Sequence, residues 1–255
     1  DFENGSTTVK VFSEVFGADF QVRVSDRYVC PCEHFKPGEN FDQFLRRTAR
    51  RDNYLRRKKW LEKQEGYRIE KTTVPADLAR PMTEFFRLHS ARWMGDGGSQ
   101  GIKGPSVEAF HRDATHLFAE QGKLRLYTMW VGGKAVASVY GIIDRGVFSY
   151  FQSGYDPEWR NKSVGLVLVG ETFRDALESG CRMYDFLRGT ETYKSDWVTQ
   201  QRRTIALRIH AHDGAGAWFT RHEELARASR NAVKAMLPMG LVEKVRRIRR
   251  KRAQV

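Results

Sequence analysis

The stretch that most constrains the fold is Tyr155-Asp-Pro-Glu-Trp-Arg-Asn-Lys-Ser-Val-Gly165, followed at once by the apolar run Leu166-Val-Leu-Val169. Upstream, Gly146 to Ser153 (GVFSYFQS) is rich in strand-forming residues. Downstream, a helical pattern reaches about Ser179-Gly180 and gives way to Arg182-Met-Tyr-Asp-Phe-Leu187, a second apolar strand pattern. The order is strand, polar turn carrying Arg-x-x-Ser-x-Gly, helix, strand. Such a turn aims several backbone N–H groups and the positive end of a helix dipole at one spot. That is an anion site suited to a pyrophosphate, and it suggests a transferase holding a nucleotide-tailed acyl donor.

The chain is basic, with 44 Lys and Arg against 31 Asp and Glu, a net charge of +13. That excess points to polyanionic partners: nucleic acid including tRNA, a phosphorylated donor, or an anionic membrane surface. One basic cluster spans Arg46 to Lys59 and another is the tail Lys244 to Arg252; the plainer reading of each is a solvated helix face or a disordered tail. Neither has the aromatic interleaving of a single-strand platform. With 255 residues, 40% of them hydrophobic, the chain has ample material for a core. No apolar run is long enough to cross a bilayer, and the polar start Asp1-Phe-Glu-Asn-Gly5 does not read as a secretory signal. The missing initiator Met points to a truncated piece. Cys30, Cys32 and Cys181 form no even disulfide framework, and Cys30-Pro31-Cys32 lacks a second pair for zinc. The expectation is a reduced, cytoplasmic protein without a metal, peripheral to the inner face of a membrane if the basic tail docks there.

Val9–Phe12 and Phe20–Val24 alternate like half-buried strands, and Cys30–Gly38 reads as a turn-rich connection. From Asn40, a capping residue, a helix is expected to run to Gly66 with Phe41, Phe44, Leu45, Thr48, Tyr54 and Leu55 on one face. A strand over Tyr67–Thr73 and a helix over Asp77–Trp93 follow, the latter burying Leu78, Met82, Phe85, Phe86 and His89. Gly95–Gly101 reads as a flexible loop, mobile around a ligand, and Ser106 as the cap of a helix to Glu120. Leu124–Trp130, Lys134–Ile143 and Val147–Gln152 form a three-stranded meander through Val-Gly-Gly and Asp-Arg-Gly turns. Arg203–His210 is the last strand, and Asp213–Met239 a helix whose apolar positions include Trp218, Phe219, Leu225, Ala232 and Met236. The layout is α+β with a mixed, mostly antiparallel sheet flanked by helices.

With Arg160-Asn-Lys-Ser-Val-Gly165 at the turn, this order resembles the GNAT acyltransferase superfamily, whose pattern there is Gln/Arg-x-x-Gly-x-Gly/Ala. Within it, the sequence is similar to the BioF2-like or CelD-like branch, near the FemAB fold. The residues carrying that likeness are His89-Ser-Ala-Arg-Trp93, Gly154-Tyr-Asp-Pro-Glu158 and Asp185-Phe-Leu-Arg-Gly189-Thr-Glu-Thr-Tyr-Lys194 with Trp197. The resemblance covers about residues 40 to 212. It implies a GNAT-like domain over 39–212, a remnant of a preceding GNAT-like half over 1–38 (or strands pairing with the main domain), and a helical extension with a basic tail over 213–255. It also implies acyl-CoA as donor, an amine of a small or saccharide-like acceptor, and, by analogy alone, a link with exopolysaccharide or cellulose production. The FemAB branch uses aminoacyl-tRNA instead, and a non-catalytic module docking through its tail is a third reading. Ser163 stands where the superfamily's first glycine sits; its amide remains, but its Cβ narrows a phosphate's approach.

The resemblance assigns roles residue by residue. The donor set is Gln152, Ser153, Gly154, Tyr155, Arg160, Asn161, Lys162, Ser163, Val164 and Gly165, with a backbone N–H near Gln152–Tyr155 polarising the thioester and Arg160 and Lys162 meeting phosphates. Tyr193, or failing it Tyr155, protonates the leaving thiolate. Glu191 or Asp185, on either side of Arg188, accepts the amine proton, although a structural salt bridge to Arg188, Lys194 or Arg92 explains Asp185 equally well. His89, Arg92 and Trp93 would line the acceptor pocket, Arg92 holding a carboxylate or phosphate and Trp93 stacking on a sugar. Arg188, Lys194 and Trp197 complete that set.

Overall fold

In chain order the elements are β1 (Phe2–Glu3), α1 (Thr7–Phe16), β2 (Gln21–His34), α2 (Phe41–Arg46), α3 (Arg51–Leu61), β3 (Arg68–Thr72), α4 (Ala79–Met94) and α5 (Pro105–Glu120). Then come β4 (Leu124–Val131), β5 (Lys134–Asp144), β6 (Val147–Tyr155), α6 (Val164–Glu178), β7 (Met183–Asp185), α7 (Thr192–Ser195), β8 (Gln200–His210) and α8 (Ala215–Met236). The structure is a computed structural model that describes residues 2–94, 101–189 and 191–236. It divides into two units, Cys30–Gln201 and a second made of Asp1–Val29 with Arg202–Val255.

In Cys30–Gln201 the sheet order is β2-β7-β6-β5-β4-β3. Neighbours are antiparallel except β6 and β7. The α+β layout with a mixed, mostly antiparallel sheet is therefore the observed one. Gly132 and Gly133 (φ 55 and 76) close the β4–β5 hairpin, and Arg145 and Gly146 (φ 48 and 74) close β5–β6. Paired positive φ values match the twist that tight hairpins need. One face carries α6, α2 and α3: Phe173 stacks on Tyr184 at 3.8 Å and on Phe44 at 4.7 Å, with Tyr54, Val167 and Trp197 in the same core. The other face carries α4 and α5 over Leu124, Leu126 and Tyr140, with Leu78, Met82, Phe85 and Phe86 all buried.

Several local expectations need correction. Cys30–His34 is strand, not turn: Cys32 pairs with Asp185 and Glu33 with Tyr184. The helix expected over Asn40–Gly66 is two helices. Asn40 caps the first with a full capping box, but Arg47 is drawn to Glu33 and Glu39, and the helix restarts only at Arg51. After that break Leu55 is exposed instead of buried. Ser106 is not a cap; Gly104 precedes α5 and Pro105 takes its first position, where proline's missing N–H costs nothing. The strand read over Arg182–Leu187 is only Met183–Asp185, because Leu187 turns left-handed at φ 55. The segment 95–100 and the tail Lys244–Arg252 lie outside the described residues. Among the described residues no helix is long and apolar enough to cross a membrane.

In the second unit, Val9–Phe12 is part of helix α1, not a strand. Four alternating residues fit either period, but Phe12 and Phe16 recur at helical spacing and stack at 5.5 Å. β1 pairs with β8 through Phe2↔Ile205 and Glu3↔Thr204. Within α8, Trp218, Phe219 and Leu225 are exposed, not core.

Candidate active site

β6 and β7 pair in parallel only through Val147↔Met183, Phe148↔Tyr184 and Ser149↔Asp185. Beyond that point β7 has ended, while β6 runs on to Tyr155 beside β5 alone. The strands part there, and a stretch of β6 edge is left open.

A bulge decides what faces the gap. Tyr140 pairs with Gln152 and Gly141 with Tyr150, so Phe151 is one residue too many. The extra residue resets the alternation. Tyr150 and Tyr155 both pack on the α6 side, Phe151 on the α4–α5 side. Ser153 shares the face of Tyr155 by the two-residue period. The Asp156 amide donates to Val136 O at 2.9 Å, toward β5. Successive strand amides alternate in direction, so the Tyr155 amide points to the side that β7 has left. The Ser153 carbonyl, two residues back, accepts from Arg92 Nη1 at 3.4 Å on that same side.

A cavity of about 280 Å³ occupies the gap. Its walls are Tyr150, Ser153 and Tyr155 of β6, Arg92 of α4, Tyr193 and Trp197 after β7, and Arg160 with Ser163 to Leu166 at the start of α6. Arg50, Asn53 and Val169 complete it. Ser163 holds φ 59 and ψ 35, a left-handed corner that glycine would adopt without strain. The corner turns a short 3₁₀ segment, Pro157–Lys162, into α6. The Ser163 amide is spent on Arg160 O at 3.1 Å, and Val167 N returns to Ser163 O at 3.1 Å. The amides of Val164, Gly165 and Leu166 have no preceding turn to bond, the standing condition of a helix start. A Cβ on Gly165 would meet only Tyr155 Cδ1, at 3.8 Å, so this corner is open.

A polar cluster sits where the strands part. Arg92 Nη1 donates to Ser153 Oγ at 2.8 Å, and its guanidinium lies over the Trp93, Tyr155 and Tyr193 rings at 5.1, 5.6 and 5.7 Å. The Tyr193 and Tyr150 hydroxyls are hydrogen-bonded to each other. Burial first, and then its Tyr150 neighbour, push the Tyr193 hydroxyl well above the usual tyrosine range, with Arg92 opposing. Burial likewise raises Tyr150. Both therefore keep their protons at neutral pH. His89 lies behind this cluster, fully buried, with neither ring nitrogen in good hydrogen-bond geometry. Burial and then the charge of Arg92 lower it to about 4.

Of the residues singled out in the sequence, Arg92, Ser153, Tyr155, Arg160, Ser163, Val164, Gly165, Tyr193 and Trp197 come together around the cavity. The others do not line it. Gly154 is a packing position: a Cβ there would lie 2.2 Å from His89 N, where α4 crosses β6. Gln152 lies on the α4 side near His89. Asn161 is exposed, and Lys162 covers the Trp60 ring at 4.8 Å. Trp93 stands behind Arg92, and Arg188 is exposed. Asp185 is buried and accepts from Leu187 N at 2.7 Å. Lys194 is buried, with Nζ on Glu191 Oε2 at 2.9 Å and on the Phe186 and Arg188 carbonyls at 3.3 and 3.0 Å. It holds the loop that delivers Tyr193. Arg50, Asn53, Tyr150, Leu166 and Val169 were missed; only Arg50 carried a signal, inside a basic run that also fits a solvated face. Among the described residues no His, Cys, Asp and Glu cluster could hold a metal ion.

Residues 48–195 match the family model for the acetyltransferase (GNAT) domain. The chain belongs to the GNAT family. The parted strands, the bulge and the polar corner before α6 are thus parts of a GNAT-type transferase fold. Solved structures agree at the level of fold. FemX matches with a TM-score of 0.61 at 11% identity, over 83% of this chain and 70% of that one. L-PGS from Bacillus licheniformis gives 0.50 at 13%, over 84% and 67%. A DUF2156 domain from Agrobacterium fabrum gives 0.51 at 8%, over 80% and 66%. The chain spans about two thirds of the length of these structures. No curated protein matches the sequence.

Proposed function

We propose that this GNAT chain is an N-acyltransferase that moves an acyl group from acyl-CoA to an amine of a small or saccharide-like acceptor. The observation that carries the reading is the continuity of one cavity from the open α6 corner to the protonated Tyr193. The residues fit the donor. The amides of Val164, Gly165 and Leu166, with Arg160 beside them, would hold the diphosphate at the helix N-terminus. The Tyr155 amide, facing the gap, would hydrogen-bond the thioester oxygen and stabilise the charge that develops on it. The acceptor nitrogen forms the C–N bond, the C–S bond breaks, and the Tyr193 hydroxyl gives its proton to the sulfur. Glu191, which does not line the cavity, would take the proton of the amine through water. The tyrosinate is reprotonated from solvent, which closes the proton balance.

The BioF2-like or CelD-like placement and an exopolysaccharide-linked acceptor belong to this proposal and rest on the motifs around His89, Gly154 and Asp185. Release of free thiol from acetyl-CoA, measured against a panel of amines and amino sugars, tests it. Amine-dependent release supports the reading, and none with any amine tells against it. A second reading, aminoacyl-tRNA as donor, is favoured by Arg50 and Asn53, which bring the start of the basic helix α3 to the cavity wall. Retention of charged tRNA at low salt, lost on charge reversal within Arg46–Lys59, would support it.

A further inference from the structure

We propose that Arg92 makes the acyl end of the cavity cationic, so that the site takes neutral or anionic acyl groups and rejects one bearing a free α- or β-ammonium. The inference rests on the donor reading above and names the donor's chemical class.

Arg92 lies in the last turn of α4, and its guanidinium lines the cavity where β6 has lost β7. The bonds to Ser153 Oγ and the three aromatic faces fix its position. Arg50, also in the cavity wall, is paired with Asp196, and Arg47 with Glu33 and Glu39. Among the described residues no carboxylate pairs with Arg92. Glu191, the nearest acid along the chain to Tyr193, is bound to Lys194 at 2.9 Å. Those two cancel, which leaves Arg92 without a paired acid among the described residues. Hydrogen bonds and aromatic faces hold the cation, and a negative group arriving beside it gives it a partner it otherwise lacks among the described residues. Two groups qualify: the oxygen that gains charge during transfer, and a carboxylate on the acyl chain.

The same charge acts against an ammonium. An acyl carbonyl on the Tyr155 amide brings its first substituents next to the Arg92–Ser153 pair. At about 5 Å and an effective dielectric of about 20, the repulsion corresponds to roughly two orders of magnitude in affinity. Arg92 is thus a specificity-determining residue that separates acyl from aminoacyl donors.

The test uses donors that share the CoA portion and nearly the same acyl shape: butyryl-CoA (neutral), β-alanyl-CoA (cationic) and succinyl-CoA (anionic), with CoA itself as reference. Dissociation constants come from isothermal titration of the whole chain. The expected result is butyryl-CoA binding roughly 100-fold tighter than β-alanyl-CoA, and succinyl-CoA at least as tight as butyryl-CoA. Arg92→Met, which keeps the stem and its volume, should bring butyryl- and β-alanyl-CoA close together while leaving CoA unchanged. Equal affinity of the wild type for butyryl- and β-alanyl-CoA, with CoA still bound, overturns the inference and spares the donor reading. Failure of CoA to bind at all overturns both. If Arg92→Met does not fold, the wild-type series alone decides.

Discussion

Tyr193→Phe isolates one hydroxyl at the point where the proposal is most exposed. The ring meets Phe186 edge-on at 6.1 Å, and phenylalanine keeps that packing. What is lost is the hydrogen bonding of its hydroxyl with Tyr150 and Arg92 and, in the proposed mechanism, the proton given to the leaving sulfur. The stability cost is about 1–3 kcal/mol, the usual net worth of the two hydrogen bonds, one of them to a charged group. The rate cost is larger, because a positioned general acid contributes about 10²- to 10⁴-fold. The donor corner, Ser163 to Leu166, is untouched. The assay is initial-rate thiol release from acetyl-CoA with a saturating amine, together with CoA titration. The expected outcome is kcat down by about 10²-fold or more with CoA affinity within about twofold of wild type. The pH profile carries a second readout. Burial holds the wild-type hydroxyl protonated above the ordinary tyrosine range. The alkaline limb assigned to this group therefore lies above pH of about 10, and it disappears in the variant. A variant that keeps kcat within about threefold, with donor affinity intact, refutes Tyr193 as proton donor.

Two further outcomes test the frame around it. Ser163→Gly relieves a left-handed serine at φ 59 and should raise stability by about 0.5–1 kcal/mol, read as a higher urea midpoint with CoA affinity retained; a lower midpoint contradicts the account of the corner. His89, held near 4 in the fold against about 6.5 unfolded, binds its proton more readily when unfolded. Its contribution to stability is thus complete above pH of about 6.5 and is lost as the pH falls toward 4, by roughly 3 kcal/mol at most. His89→Phe should flatten that slope between pH 7 and 4.5, and an unchanged slope assigns it to other groups.

The fold was legible where local chemistry dictates local geometry. Gly132-Gly133 and Arg145-Gly146 mark hairpins, Asn40 marks a helix start, and the Arg160–Gly165 turn marks the approach to α6. What stayed hidden depends on partners distant in sequence. Nothing near Phe151 reveals that it is the extra residue opposite Tyr140 and Gly141, yet that bulge places Tyr150 on the face of Ser153 and Tyr155. Simple alternation would have put Tyr150 with Gln152 and Gly154. The break at Arg47–Arg50 likewise follows from Glu33 and Glu39 rather than from a helix breaker, and it brings Arg50 and Asn53 to the cavity. Lys194 read as a ligand-binding cation; its stem reaches inward, and its charge is used on Glu191 and two loop carbonyls.

In the proposed function the amides opening α6 grip the diphosphate of a thioester carrier. Gly165→Glu tests it most directly, because a Cβ at this position has only Tyr155 Cδ1 within reach, at 3.8 Å, so the fold should survive while a carboxylate enters the anion site. Isothermal titration with CoA should show saturable binding to the wild type and none to the variant, with the two unfolding at similar denaturant concentrations. CoA bound equally well by a folded Gly165→Glu protein would contradict the account.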